Sequence, residues 1–597
     1  MKLPALRVLK RTRRITSAFG GLDRRPVTPD GRWSDMKNMT GDGYPTVAVR
    51  EKRGTVEIGG EGEITGIGTA LGAPAVTRGS TVVVGDTVVD VGLSSGRKTL
   101  VTMGAYLLIF PDGKYVNAAS VLEGGEPEWG DIDASLTVTS EGEEPNAATL
   151  FCSTCDADGN AIDYSRSVTT PPAPENGDFW YDIGSTPAVL KQYRADTDEW
   201  VEFEPYRKFR FDRNISLPLS VGETVFIEPE IFRTEGGTDG SPARGFFKLV
   251  KKGSDHFVIP GPVINRIYDG FTVSISRKVP EMDFVTEAGN RLWGCRYGEV
   301  DGKLVNEIYA SALGDFREWH TFENVSTDSY AASIGSDGPF TGAATYRGNP
   351  VFFKEGCAHR VMGTSPSTFR IVTLECDGAE LASGRSLVTV GGLLYYVSAS
   401  GVMRYDGSSA EKVSAALGDG LFSATAAGEY GGKYYVCLSG AADGLFVFDP
   451  RRGTWHREDE TKAAGFCSAC ADTFFFRAGD TALTSVGGMG TPAEGPLSWF
   501  LESGDLGLSS PDKKYPSRVT VGMRLAVGTE ARIFIRYDGE GDFVPAASAE
   551  GRGLGSFSAV LPLRRCDSFR IRISGVGDAA IHSIALTSGE GSENDRR

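Results

Sequence analysis

The chain has 597 residues, of which 40% are apolar and 23% charged, and 77 glycines stand beside only 29 prolines. That balance excludes a largely disordered chain, a collagen-like fibre and a coiled coil, and the length suits roughly four domains or one large all-β unit with additions. A net charge of −16 and an isoelectric point near 5.0 make the whole a poor gripper of phosphate backbones, which needs clustered Lys and Arg.

The glycine excess without a low-complexity tract implies many tight turns, and many turns imply short strands. Residues 1–60 read as an N-terminal arm and docking segment. Its start carries Lys2, Arg7, Lys10, Arg11, Arg13 and Arg14 with no acid among them, the pattern of a solvated or partner-docked arm. Residues 61–123 read as the first propeller blade or blades. There the run Thr81–Val91 folds back at Gly85-Asp86, and Val101–Phe110 is followed by the turn Pro111–Lys114 and by Tyr115-Val116.

Residues 124–277 break this rhythm. A proline cluster at Pro171–Pro174 leads into Phe179-Trp180-Tyr181-Asp182, Val189–Tyr193 and Asp198-Glu199-Trp200, which predicts an inserted small β module with Trp180, Tyr193 and Trp200 in its core. Residues 278–494 then repeat one theme: strand, Gly-rich turn, aromatic-rich strand, turn, strand. It shows at Ala288–Gly298, Ala344–Gly356, Val388–Gly407, Gly428–Pro450 and Cys467–Asp480. A recurrence of roughly 40–55 residues is that of propeller blades, and about six are expected in all. Residues 495–588 alternate apolar and polar side chains, as in Arg532–Tyr537 and Ser568–Ile573, which predicts a C-terminal β-sandwich; 589–597 read as a flexible polar tail. The predicted fold class is thus all-β.

Motifs that would carry chemistry dissolve on inspection. Gly92-Leu93-Ser94-Ser95-Gly96 matches a nucleophile elbow but is flanked by strands on both sides, where the elbow needs a helix to follow. Gly66–Gly72 has the wrong glycine spacing for a dinucleotide loop, and no phosphate-binding P-loop occurs. The pairs Cys152/Cys155 and Cys467/Cys470 lie about 300 residues apart, far beyond zinc-ribbon spacing, and read as small buried hydrophobes. Asp156–Asn160 lacks the continuation of a calcium loop and reads as a solvated turn. Asp449–Trp455 resembles the turn-and-tryptophan signature of sialidase and kelch blades, a structural turn in those families. The five histidines, His256, His320, His359, His456 and His582, form no ligand spacing.

No catalytic residue, metal or cofactor is predicted, and the chain is read as no enzyme. Nine cysteines fit a reduced protein made in a cytoplasm; no apolar run approaches a membrane span, and the basic N-terminus has no apolar stretch behind it to make a secretion signal.

One resemblance is specific. Phe19-Gly-Gly-Leu-Asp23, then Gly31–Thr40 (GRWSDMKNMT), Gly43-Tyr44-Pro45 and Val49–Gly54 look like the opening of a group of bacteriophage and prophage structural proteins. Met103–Tyr106, Phe110–Asp112, Leu292-Trp293, Ile308–Phe316, Trp319, Tyr515–Ser517, Arg565–Asp567 and Arg570–Gly575 agree with the same group. The resemblance implies a propeller with inserted domains, similar to the nozzle or hub proteins of short-tailed phages. Such a virion protein of the tail or neck, made in the bacterial host cytoplasm, would form a homo-oligomeric ring such as a hexamer. Its partners would be portal, adaptor or tail proteins, with DNA passing unbound through an acidic lumen while the basic arm docks a neighbouring subunit. Two rivals stand beside it: a glycan-binding tail adhesin stacking sugars on Trp180, Tyr181 and Trp200, and a propeller glycosidase with carboxylates and arginines at its axis.

Overall fold

A computed structural model describes residues 10–139, 148–232, 244–268, 271–300, 302–509, 512–551 and 553–591. The described chain is almost all β, with a single five-residue α-helix, Ala118–Leu122, capped by the Asn117 side chain. Most of its strands belong to antiparallel sheets.

Seven of these sheets begin alike, with strands added in chain order; six have four such strands, and the seventh has three before strands from elsewhere in the chain join it. Their first strands are Ile64–Ala70, Thr99–Met103, Phe284–Glu287, Gly342–Tyr346, Val388–Val390, Phe422–Tyr430 and Gly465–Ala469. The reason they group is written in their second strands. Successive side chains of a strand point to opposite faces, so a strand buried on both sides can spend two adjacent apolar residues on two different cores. Leu107 packs towards sheet 1 and Leu108 towards sheet 3; Phe352 packs towards sheet 3 and Phe353 towards sheet 5. Tyr395/Tyr396, Tyr434/Tyr435 and Phe474/Phe475 divide in the same way. The seventh sheet shares its last core, around Phe474, with Ile64 and Val76 of the first, so the succession closes into a ring.

Seven sheets stand where about six were expected. The stretch 61–123, expected as the first blade or blades, holds one whole sheet, Ile64–Asp90, and three strands of a second, whose last strand, Trp129–Asp131, lies in the range expected as the inserted module; the chain turns from one sheet into the next at 91–98. The seventh sheet takes its fourth strand from the other end of the chain: Gly54–Glu57 pairs antiparallel with Ala482–Ser485. Gly54 is needed there, since a Cβ would stand 1.9 Å from the Met489 carbonyl oxygen.

Between the second and third sheets the chain departs to form two further sheets. One has Thr224–Phe232 and Phe271–Arg277 at its centre and the other Tyr206–Phe211 and Leu150–Cys155; they enclose Phe209, Phe257, Ile227 and Val273. A separate four-stranded sheet runs Tyr164–Ser167, Phe179–Asp182, Val189–Arg194, Glu199–Glu202.

The last region pairs two sheets face to face. Ser498–Ser503, Phe569–Val576, Glu530–Tyr537 and Glu540–Glu550 lie in one; Ala579–Gly591, Lys513–Leu525 and Gly553–Val560 lie in the other, around Trp499, Ile533, Ile573, Val521 and Ile581. N-terminal strands complete both. Trp33–Lys37 joins the first, while Met39–Thr40, Val47–Val49 and Lys10–Thr16 join the second. Ala579–Gly591 thus carries the strand order past 589, and residues 592–597 of the expected tail lie outside the described chain.

Candidate functional site at the junction of ring and sandwich

Residues 19–54 cross from the sandwich to the ring, and their side chains fasten the two together. Gly21, at φ +79°, lies so close to the ring that a Cβ would stand 2.5 Å from the Trp455 carbonyl, and the Leu22 amide donates to that same carbonyl at 2.6 Å. Only glycine takes this backbone without strain. Trp455 is buried and donates its indole N–H to Val413 at 2.9 Å, while Asp449 accepts from the Arg451 amide (2.9 Å) and the Arg452 guanidinium (2.7 Å). The turn-and-tryptophan segment is therefore a ring-side anchor.

Deeper in the junction lies an ionic cluster. Arg50 grips Glu494 with both terminal nitrogens, at 2.8 and 2.7 Å, and donates Nε–H to the Asn38 side chain at 2.8 Å. Asn38 in turn donates to the Ser498 carbonyl (2.8 Å) through its side chain and to the Glu458 carbonyl (2.7 Å) through its amide. Arg53 reaches Glu458 at 2.5 Å and Asp459 at 2.8 Å, and stands 5.5 Å over the Phe475 ring. Arg50 and Arg53 are buried, as is Glu458.

Burial alone would raise the carboxyl of Asp459, but the Arg53 and Arg50 charges outweigh it and hold it below the usual range. Glu494 is held low in the same way, its burial overcome by hydrogen bonds from Arg50 and Arg53. Charges taken out of water this far are tolerable only when every one is paired, and these are.

A cavity of about 360 Å³ opens beside the cluster, lined by Asp42, Arg53, Lys433, Tyr435, Arg452 and His456. Lys433 pairs with Asp42 and holds its carboxyl low against the opposing effect of burial. Burial and then the Lys433 charge push His456 down to about 4. The chemistry of this site is that of a rigid ionic joint between chain segments far apart in sequence.

The sequence-predicted residues fall elsewhere. Lys2 and Arg7 lie outside the described residues, and Lys10 begins the strand Lys10–Thr16. Arg11 and Arg13 are exposed on that strand, and Arg14 pairs with Asp30. Trp180 is 6% exposed; its indole donates to the Ser167 carbonyl (3.2 Å), Lys191 stands 5.0 Å over the ring, and Trp200 packs edge-on at 5.5 Å. Tyr193 lies 5.4 Å from Trp200, and Tyr181 is half-buried against Tyr164. Cys152 and Cys467 are buried in different cores, their thiols pushed up to about 12 by burial, while Cys470 is exposed. Ser94 is bound by Asp112 and by Lys98 (2.8 Å), a salt-bridged turn. Asp156 accepts from the Asn160 amide at 2.8 Å, closing its loop on itself.

Sequence reasoning missed Arg50, Arg53, Glu458, Asp459 and Glu494 as a group. The only signal was the presence of both arginines in the conspicuous N-terminal stretch and of an acidic run directly after Trp455-His456-Arg457.

No protein-family model matches the chain, and no curated protein matches it. Solved structures do. An exo-beta-1,3-galactanase from Phanerochaete chrysosporium is 10% identical, with 51% of this chain and 94% of that chain covered and a TM-score of 0.19. The extracellular domain of the putative one component system BT4673 from B. thetaiotaomicron is 9% identical over 94% and 98% of the two chains (TM-score 0.21). PorZ of Porphyromonas gingivalis is 12% identical over 88% and 77% (TM-score 0.24). A glycoside hydrolase family 43 enzyme from Bacillus subtilis also matches, at 6% identity over 68% and 93% (TM-score 0.15).

These matches correct the reading that the chain is no enzyme. Glycoside hydrolases stand among the structures it is similar to, so that exclusion is withdrawn. At such scores they assign it no activity either. Among the described residues no helix is long and apolar enough to cross a membrane.

Proposed function

We propose that the closed ring of sheets is a seven-bladed propeller and that the chain is a structural subunit of a bacteriophage particle, of the ring-forming nozzle or hub type. The observation that carries this reading is the junction. The N-terminal stretch that resembles phage structural proteins supplies Gly21, Asn38, Arg50 and Arg53, the residues that bind sandwich to ring. A subunit that transmits load between neighbours needs its modules locked, and a closed sheet ring leaves few free edges for unwanted pairing.

Assembly has surfaces to use. The strand Gly553–Val560 pairs with Lys513–Leu525 along one side and contains no charged residue, and Leu554 and Val560 are 67% and 68% exposed. Lys10–Thr16, also at a margin of that sheet, presents Arg11 and Arg13. A head-to-tail contact between two different edges closes into a ring when the rotation permits.

Light scattering of the purified full chain across a concentration series tests the reading. A closed oligomer of several 63.8 kDa chains is expected, and Arg11→Glu/Arg13→Glu should shift it towards monomer. A monomer at every concentration, with or without added neck or tail proteins, refutes it.

A further inference from the structure

We infer that the sandwich holds a binding site for a small amphipathic anion, an apolar chain or ring system ending in a carboxylate. The site stands whether or not the chain assembles into a ring.

A cavity of about 370 Å³ lies between the two sheets of the sandwich, beside the N-terminal strand Lys10–Thr16. Trp33, Phe569 and Ile571 line it from one sheet; Val519, Ile584 and Leu586 line it from the other. Phe19 stacks on Trp33 at 5.8 Å and closes the inner end.

Register tells which side chains of Lys10–Thr16 face this space. Directly opposed residues of antiparallel strands share a face. Val519 is buried between the sheets and stands opposite Leu586, which marks the inner face. Thr12, Arg14 and Thr16 stand opposite Ser588, Leu586 and Ile584, so they turn towards the cavity while Arg11, Arg13 and Ile15 turn away. The hydroxyls of Thr12 and Ser588 meet at 3.4 Å, as that register requires.

The lining is graded along these strands. Towards Thr12 and Ser588 it is polar and open, with Thr12 and Arg14 exposed; towards Phe19, Trp33 and Ile571 it is apolar and buried. Lys514 adds a second cation at the polar end, two residues before Pro516, which stands opposite Ser588. Among the described lining residues Asp30 is the only acid. It pairs with Arg14, but both side chains are more than half exposed, and so wet an ion pair is weak enough for Arg14 to share its guanidinium with a second carboxylate.

The walls are set before anything binds. Leu506 and Phe569 exchange backbone hydrogen bonds at 2.9 and 3.2 Å, and the Trp33 amide donates to Gly21 at 3.0 Å. The Gly20 amide donates to the Gly31 carbonyl at 2.8 Å, which holds the rim at Thr28–Gly31 in place. A pre-formed cleft with aromatic and branched walls and a few convergent polar groups at its mouth takes an apolar body with one charged end. At ~30 Å³ each, the share of a water in its liquid, roughly twelve heavy atoms fill the cavity, the size of decanoate. Its carboxylate would meet Arg14 and the Thr12 and Ser588 hydroxyls, and its tail would run to Trp33.

Calorimetry of the full chain with monomeric decanoate tests the site, with acetate and decanol as controls. One-to-one binding of decanoate is expected, with none of acetate and about tenfold weaker binding of decanol. Arg14→Gln should weaken decanoate about tenfold and leave decanol unchanged. Thr16→Phe fills the inner half of the cavity and should abolish binding of both. Bromine at the tail end, in 10-bromodecanoate, should quench tryptophan emission, and Trp33→Phe should remove that quenching. Decanoate bound no better than acetate overturns the inference, as does quenching that survives Trp33→Phe. Equal losses of decanoate and decanol in Arg14→Gln, or no loss of either, also overturn it; Arg14 is exposed, so this variant keeps its fold even if Thr16→Phe does not.

Discussion

Replacing Arg53 by methionine keeps an unbranched stem, two bonds shorter than arginine's, and removes one charge from the junction. In the wild type Arg53 serves Glu458 at 2.5 Å and Asp459 at 2.8 Å from a side chain only 6% exposed. Its loss leaves Arg50 as the only arginine facing three carboxylates, Glu458, Asp459 and Glu494. Breaking a buried pair on one side costs about 3–5 kcal/mol. The strand Gly54–Glu57 begins at the next residue, so the cost should fall on its pairing with Ala482–Ser485.

Hydrogen exchange of the amides in that strand is the assay. A loss of about 3 kcal/mol raises the open population, and so the exchange ratio of variant to wild type, roughly a hundredfold at pH 7. The ratio should also depend on pH. Asp459 is held low in the wild type, so its contribution persists above the unfolded value of 3.8 and is lost only as pH falls through the folded one. In the variant burial prevails, the carboxyl rises, and protonation relieves the unpaired charge earlier. The ratio should therefore shrink between pH 7 and pH 5. A ratio near one at pH 7, or an equal ratio at both, refutes the view that this cluster locks the ring.

Two further outcomes follow from burial. Trp180→Ala removes a side chain packed against Trp200 and Lys191, so the sheet Tyr164–Glu202 should lose about 3 kcal/mol and be cut faster in limited proteolysis, with the ring unaffected; a stably folded variant that lost glycan binding would favour sugar stacking instead. His359 and His456 are both pushed down to about 4, chiefly by burial and then by Lys354 and Lys433, against an unfolded value of 6.5. A depressed histidine contributes its full stability above 6.5 and loses it as pH falls towards 4. Acidification from pH 7 to 5 should cost about 2 kcal/mol per histidine, read as faster exchange in Cys357–Met362 and Thr454–Asp459, and His→Gln at each site should flatten that dependence.

Strands and turns were legible along the chain because each is local. Gly85-Asp86 turns because its backbone must, whereas the division of Phe352 and Phe353 between two cores shows only in the fold. The alternation in Arg532–Tyr537 likewise marked a strand buried on one face. The number of sheets was harder, since nothing between Asp90 and Thr99 says that one sheet has ended and another begun.

Local residue preferences specify an all-β chain of short hairpins, glycine-rich at its turns and acidic overall. That Gly54–Glu57 completes the sheet of Ala482–Ser485, and that Arg53 meets Glu458, 405 positions away, is visible in the fold alone. Pleat and turn preferences act over a few residues. The partner of an edge strand or of a buried charge is chosen by ring closure, when the ends of the chain are brought together and each group left in the interior must find its opposite.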